Sequence, residues 1–191
     1  MISLADIGQV FSGLSGKSAE DFGNGERYIT YLNVYQNDII DDSAVGYVSI
    51  QDGEDQNMVS YGDILFTLSS ETANEVGITS VYLSNKKDKY LNSFCFGYRL
   101  NDFQTLNPEY LPYCFSSTRF RKHILPFAQG STRYNLHKVD FIKSKFRVPT
   151  ITNQKAIANI MSTHNRKLTT DKHLLVRYQE QKSYLLQKLF I

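Results

Sequence analysis

The last 42 residues of the chain, from Thr150 to Ile191, contain neither glycine nor proline. All 11 glycines lie between Gly8 and Gly130, and the last proline is Pro149. With no breaker to stop it, the tail can be one continuous helix, with Thr152 and Asn153 offering capping side chains just after Pro149. Other shortages exclude whole classes of protein. No run approaches the roughly 18 apolar residues of a membrane span, so no membrane association is expected. The opening Met1 to Asp6 lacks a basic flank followed by an apolar core, so export is not expected either. The only cysteines are Cys95 and Cys114. Isolated as they are, they are expected to be reduced, partly buried thiols of a cytoplasmic protein and not a disulfide framework.

Catalytic signatures are missing as well. Gly23-Asn24-Gly25 has no third glycine and no apolar strand before it, which makes a turn and not a dinucleotide loop. Asn107-Pro108-Glu109-Tyr110 is similar to the Asn-Pro-Pro-Tyr of adenine methyltransferases, but Glu109 replaces a proline and no glycine-rich cofactor loop precedes it. A helix start is expected there instead. His123, His137, His164 and His173 have no cysteine or carboxylate at metal-ligand spacing, and no serine sits in a nucleophile setting. The chain is therefore expected to be non-catalytic, with no metal and no cofactor of its own.

What is present is unevenly spread. Net charge is +2, yet residues 1 to 116 carry 6 Lys and Arg against 16 Asp and Glu, residues 117 to 147 carry 8 against 1, and the remainder 7 against 2. The excess of positive charge falls late in the chain, as a polyanion-binding face requires and as a solvated basic surface would also show.

Short stretches punctuated by turns fill the first 149 residues. Tyr28 to Leu32, Val45 to Ile50, Asp63 to Leu68, Ile78 to Leu83 and Phe94 to Leu100 read as strands, and one helix is expected from Pro108 to Ile124 before Pro126. In the tail, positions 157, 161, 164, 168, 171, 175, 178, 182, 185 and 189 advance in alternating steps of four and three, the spacing of a coiled-coil seam. Ile157, Met161, Leu168, Leu175, Tyr178, Leu185 and Leu189 are apolar or aromatic, interrupted by His164, Asp171 and Lys182. These seven are the expected dimer-interface residues. A helix from 152 to 190 would be on the order of 58 Å long, more than a domain of this size can cover. The expected architecture is α+β: a mixed, strand-rich domain over residues 1–149, then a coiled-coil helix over 150–191. The alternatives are a helix folded back on its own domain or one broken near Ser162 to Asn165.

Candidate nucleic-acid contacts cluster in the basic segment. Arg119, Arg121 and Lys122 on a helix end are followed by Gln129-Gly130-Ser131-Thr132-Arg133-Tyr134-Asn135. Arginine can take phosphate or guanine through two hydrogen bonds, amides can pair with adenine, and hydroxyls serve either. The expected DNA-binding set is Arg119, Arg121, Lys122, Ser131, Thr132, Arg133 and Asn135, with Lys17, Ser69, Ser70 and Thr72 beside them. A polar loop between core elements is the competing explanation.

Several stretches in order resemble the recognition domain of type I restriction-modification specificity subunits. They are Gly25 to Asn37, Gly62-Asp63-Ile64-Leu65-Phe66-Thr67 running into Ser69 to Thr72, Glu75-Val76-Gly77, Phe94 to Arg99, the helix ending at Arg119 to Ile124, the Gln129 to Arg133 loop and Val148-Pro149. The tail motif Lys182 to Phe190 is similar to that family's spacer helix, while Asn153-Gln154 stands where the family usually has Glu-Gln. The resemblance implies a DNA target recognition domain (1–149) and a spacer or dimerisation helix (150–191). It also implies double-stranded DNA as ligand and methyltransferase subunits that bring S-adenosylmethionine and modify adenine. A separate restriction subunit would act as an ATP-driven translocase. Because the full subunit in that family has two domains and two helices, pairing of two chains as a homodimer is implied, with a split target. The alternative function is a helical assembly adaptor or decoy that binds protein partners without reading bases.

Overall fold

The computed structural model describes residues 1–189; Phe190 and Ile191, which include the end of the tail motif, lie outside the described residues. Its centre is the strand Ile64–Thr67, buried at every position. That burial explains the apolar run Ile64-Leu65-Phe66, since a strand covered on both faces has no reason to alternate. It pairs antiparallel with Cys95–Leu100 on one side and Thr79–Val81 on the other, and Gly8–Ser12 completes a four-stranded antiparallel sheet beyond Cys95–Leu100. A second sheet joins Phe22–Ile29 to Val45–Val48 and, in parallel, to Lys89–Leu91. A small third sheet pairs Ala128–Gln129, Tyr134–Leu136 and Ser69–Ser70. The fold is the expected α+β, strand-rich arrangement followed by a long helix.

Helices α1 (Leu4–Ile7), α2 (Tyr31–Gln36), α3 (Leu111–Phe115), α4 (Thr118–Ile124) and α5 (Lys138–Lys143) precede the tail helix α6 (Ile151–Leu189). The main core is aromatic. Phe66 stacks on Phe96 with ring centroids 4.9 Å apart, and Phe115 meets Phe120 edge to face at 4.4 Å, while Phe141 and Phe146 close the cluster. Edge contacts of this kind fix ring positions more tightly than area burial alone, so α3, α4 and α5 are held against the central sheet. Cys95 and Cys114 are free and buried in different clusters. Burial pushes the Cys95 thiol up to about 12.

Two expectations need correction. The stretch Tyr28 to Leu32 is not one strand: the strand ends at Ile29, and Thr30 caps α2 by accepting a hydrogen bond from the Asn33 N–H at 3.2 Å. The helix expected over 108 to 124 is two helices. Ser117 sits in extended geometry between them and accepts from the Phe120 N–H, so it starts α4 on a new axis. The other expected strands are present, trimmed by one or two residues at their ends.

The tail is one helix through Ser162 to Asn165, and its hydroxyls bond back to their own turns. Ser162 donates to the Asn159 carbonyl, Thr169 to Asn165 and Thr170 to Arg166. Its root is fixed by Gln154, which is fully buried. The Gln154 amide donates to the Thr105 and Pro149 carbonyls, both at 3.0 Å, and its Oε1 accepts from the Asn107 N–H at 2.9 Å. Asn107-Pro108 is thus a turn that receives α6, with Asn107 Oδ1 also accepting from the Tyr110 N–H. Ala158 packs into the same joint against Tyr110 and Cys114. From Asn159 onward every described residue of α6 is exposed.

Gln154→Ala removes one partner from three part-buried backbone groups at once. An orphaned group costs about 1 to 3 kcal/mol, so the variant is expected to lose roughly 2 to 4 kcal/mol of stability, which urea unfolding followed by circular dichroism will measure.

Candidate nucleic-acid interface

The third sheet brings the hairpin at Ala128–Leu136 beside the segment that follows the central strand. Tyr134 lies opposite Ser70 and Asn135 opposite Ser69, which places the exposed tip Ser131, Thr132 and Arg133 next to residues 69 to 75. Gly130 is required at the bend: its φ is +143°, and a Cβ there would overlap the Arg133 carbonyl. Arg133 Nε donates to Ser69 Oγ at 3.3 Å.

A cleft of about 280 Å³ opens between this pair and α2, lined by Tyr31, Tyr35, Ser69, Ser70, Glu75 and Arg133 together with Leu32 and Glu71. Tyr31 and Tyr35, one helical turn apart, stack with centroids 5.9 Å apart. Glu75 is the polar centre of the wall. It accepts from Tyr35 Oη at 2.7 Å, Thr72 Oγ1 at 2.8 Å and Ser70 Oγ at 2.9 Å. Those three hydroxyls hold its carboxyl below the usual carboxylate range, and the same bond to Glu75 raises the Tyr35 phenol. The Tyr31 hydroxyl donates to the Ser69 carbonyl at 3.1 Å.

The expected contacts separate into groups. Ser69, Ser70 and Arg133 line this cleft, exposed Thr72 stands at its edge through its bond to Glu75, and Ser131, Thr132 and Asn135 lie on the adjoining hairpin. Lys122 is exposed on α4 above a hollow it shares with Asn74, Thr118 and Leu125, next to the turn that carries Glu75. Arg119 faces the other flank of α4, where it lines a cleft of about 300 Å³ with Lys145, Arg147 and His123. Among the described residues, Arg119, Lys122, Arg133, Lys145 and Arg147 have no carboxylate within ion-pair distance. They are available to an anion.

Two expected contacts are corrected by the geometry. Arg121 points inward: its guanidinium donates to the carbonyls of Gly77 at 2.7 Å, Val76 at 2.7 Å and Asn74 at 2.8 Å. It is a strut that fixes the 74 to 77 turn against α4. Lys17 has a side chain only 4% exposed and donates to Glu54 at 2.6 Å, so it ties two loops together away from the cleft. Conversely, Tyr31, Tyr35 and Glu75 belong to the site and were absent from the expected set. The spacing of the two tyrosines is a helical signal, hidden by reading their stretch as a strand.

The tail helix presents a second surface. Met161, Leu168, Leu175, Tyr178, Leu185 and Leu189 are all exposed, from 39% for Met161 to 74% for Leu189, as are Ile160, Leu174 and Leu186. At about 100° per residue, Met161 and Leu168 lie within about 60° of the direction of Gln154, Ala158 and Asn165, which face the domain, and the stripe drifts away from that side to more than about 100° at Tyr178 and Leu185. Ile157, counted in the seam, is instead half-buried against the domain's own Tyr110 and Cys114. Among the described residues no helix is long and apolar enough to cross a membrane.

Comparison with known proteins finds a match to the family described as type I restriction modification DNA specificity domain over residues 1–177. No curated protein matches significantly in sequence. Among solved structures, the S subunit of a type I restriction-modification system from M. genitalium is similar at a TM-score of 0.57 and 18% identity, covering 88% of this chain and 39% of its own. The HsdS subunit from Thermoanaerobacter tengcongensis gives a TM-score of 0.57 at 16% identity over 88% of this chain and 38% of its own. A chain from a structure concerned with complex assembly and conformational transition of the type I R-M system matches at a TM-score of 0.57 and 16% identity, covering 98% and 42%. The chain thus spans about two fifths of the length of these structures.

The division between strut and free cations is testable by denaturant unfolding. Arg121→Ala is expected to lower stability by roughly 2 to 4 kcal/mol, because it strands three carbonyls, while Lys122→Ala and Arg133→Ala stay within about 0.5 kcal/mol of the parent as ordinary surface changes.

Proposed function

The chain belongs to the family of type I restriction modification DNA specificity domains, and we propose that it selects the DNA sequence on which a type I restriction-modification complex acts. In this reading residues 1–149 are the target recognition domain and residues 150–191 the spacer helix. One observation carries it: Arg133, without an ion-pair partner among the described residues, lines a cleft of hydroxyl, carboxylate and aromatic groups, with Lys122 over a neighbouring hollow, on the domain that the family defines. Cations give attraction to phosphate, and the cleft supplies the short-range groups that base edges require. Arg119, Lys145 and Arg147 extend the positive surface round α4.

The chain supplies no chemistry of its own in this proposal. Methyltransferase subunits modify adenine in a bipartite target, and a restriction subunit acts when the target is unmodified. DNA contacts then sort by role. Arg119 and Lys122, which have no side-chain partners, serve phosphates, while Arg133, Ser131, Thr132, Asn135 and the 69 to 72 segment face bases. Alanine at Arg119, Lys122 and Arg133 together is expected to weaken binding to all duplexes and to reduce the slope of log affinity against log salt by about one for each phosphate left without its cation. Unchanged affinity at moderate salt would put the DNA elsewhere.

The exposed stripe on α6 asks for a partner helix, because from Met161 onward its own domain leaves it uncovered. Two-fold pairing through the same surface is the commonest solution. Antiparallel α6 helices place two readers at opposite ends and fix the distance between two inverted half-sites. Light scattering is expected to show a dimer that polar substitutions at Leu168, Leu175 and Leu185 dissociate, and mapping of methylated adenines in DNA exposed to the reconstituted complex is expected to show identical inverted half-sites. A stable monomer at micromolar concentration refutes the pairing; an asymmetric target assigns the second position to a different specificity chain.

A further inference from the structure

Four hydroxyl groups at the reading cleft have already committed their protons; the fifth, Ser69, is nearly buried and its oxygen accepts from Arg133. An ionised carboxylate can only accept, so in the three bonds to Glu75 it is Tyr35, Thr72 and Ser70 that donate. A backbone carbonyl can also only accept, so Tyr31 donates to Ser69. Each hydroxyl has a single proton. What remains at each oxygen is lone-pair density, and the wall of the cleft is an acceptor surface. Ser70 is nearly buried, which leaves exposed Thr72 and half-buried Tyr35 as the oxygens an incoming group can reach. Arg133 is the donor on the facing side, with one N–H spent on Ser69 and its terminal nitrogens unbonded among the described residues.

We infer that Glu75 is a positioning residue for sequence selection: by taking the Thr72 and Tyr35 protons it makes this cleft accept hydrogen bonds from the exocyclic amino group of adenine or cytosine. The inference rests on the DNA-binding reading above and goes beyond it by stating which base edge is chosen and why. In the major groove adenine offers N6 and cytosine N4 as donors, whereas thymine O4 and guanine O6 and N7 are acceptors. Every base pair bears one such amino group in that groove. An acceptor wall therefore reads which strand carries it, and the position facing Thr72 should be A or C, with T and G disfavoured. A T or G there sets lone pair against lone pair with water excluded, a mismatch of the order that costs roughly 5- to 100-fold in affinity. Phosphate is an equally poor occupant, since it brings only acceptors to a wall that already holds Glu71 and Glu75.

The test is selection of bound sequences from a randomised duplex library by the full chain, together with methyltransferase subunits where these are needed for binding. The parent is expected to enrich A or C over T and G at one fixed position. Thr72→Val removes the acceptor, and Glu75→Gln turns one of the two accepting oxygens into an amide donor, which releases the proton of the hydroxyl facing it. Both are expected to reduce the enrichment at that position at least fivefold, leaving the other positions and the salt slope in place, while Thr72→Ser preserves it. Thermal melting checks that each variant folds; should Glu75→Gln fail to fold, Thr72→Val and Tyr35→Phe decide. No enriched motif from the folded parent overturns the DNA-binding reading and this inference with it. A motif unchanged in Thr72→Val and Glu75→Gln overturns the inference alone. An unchanged motif with weakened capture of the methyltransferase subunit also overturns it, by assigning the cleft to a protein surface.

Discussion

The joint made by Gln154 governs the geometry of the whole molecule. A helix of 39 residues attached to a domain at one end acts as a lever. A small error in its exit angle becomes a large displacement at the far end, about 58 Å away at 1.5 Å per residue. Three hydrogen bonds from a fully buried amide to Thr105, Asn107 and Pro149 fix that angle in two directions, because both ends of the amide are engaged. Apolar packing alone, which here amounts to Ala158 and half of Ile157, would leave the helix free to roll. A buried polar group is an expensive way to fasten two elements, but its directionality is what a spacer of defined length and direction needs.

The reader depends on a similar device. The 74 to 77 turn has few apolar residues with which to pack, and Arg121 holds it through three carbonyls at 2.7 to 2.8 Å. Because that turn carries Glu75, the strut sets the position of the carboxylate to which Tyr35, Ser70 and Thr72 are bonded. The aromatic cluster around Phe115 and Phe120 fixes α4, α4 fixes Arg121, and Arg121 fixes the turn. The order runs from core to strut to reading surface, so the polar groups of the cleft are preorganised before any ligand arrives.

What was legible in the sequence follows the range of the forces involved. The uninterrupted tail and its apolar spacing depend only on neighbours three or four residues away, and both are present. The concentration of positive charge in residues 117 to 147 is likewise a local property. Arg121 reads as a free cation in the sequence because its fate is decided by carbonyls 44 to 47 residues away, where Gly77 takes a positive φ and turns its own toward α4. Tyr31 and Tyr35 were missed because Tyr28-Ile29-Thr30 has strong strand character, and only the capping bond from Thr30 shows that the chain changes course there. Lys17 is indistinguishable from a free surface lysine until Glu54 is brought beside it across 37 residues.

The charge asymmetry acquires a meaning once the cleft is assembled, because its two sides come from opposite halves of the distribution. Glu71 and Glu75 belong to the acidic first 116 residues, whereas Arg133 belongs to the basic segment. A chain built only to hold DNA tightly gains nothing from carboxylates at the contact. Selectivity, however, is a difference between affinities, and it grows when wrong sequences are penalised as well as right ones rewarded. In the proposed reading, acceptor groups facing the bases supply that penalty, and a net charge of only +2 restrains binding to DNA at large. A single reader made this way binds weakly. In the proposed pairing, α6 offsets that weakness: two readers on a stiff span present the second half-site at high effective concentration once the first is engaged, provided its separation matches the span. Rigidity at Gln154 and modest attraction at the cleft are then parts of one arrangement, in which distance is read by the helix and sequence by the domain.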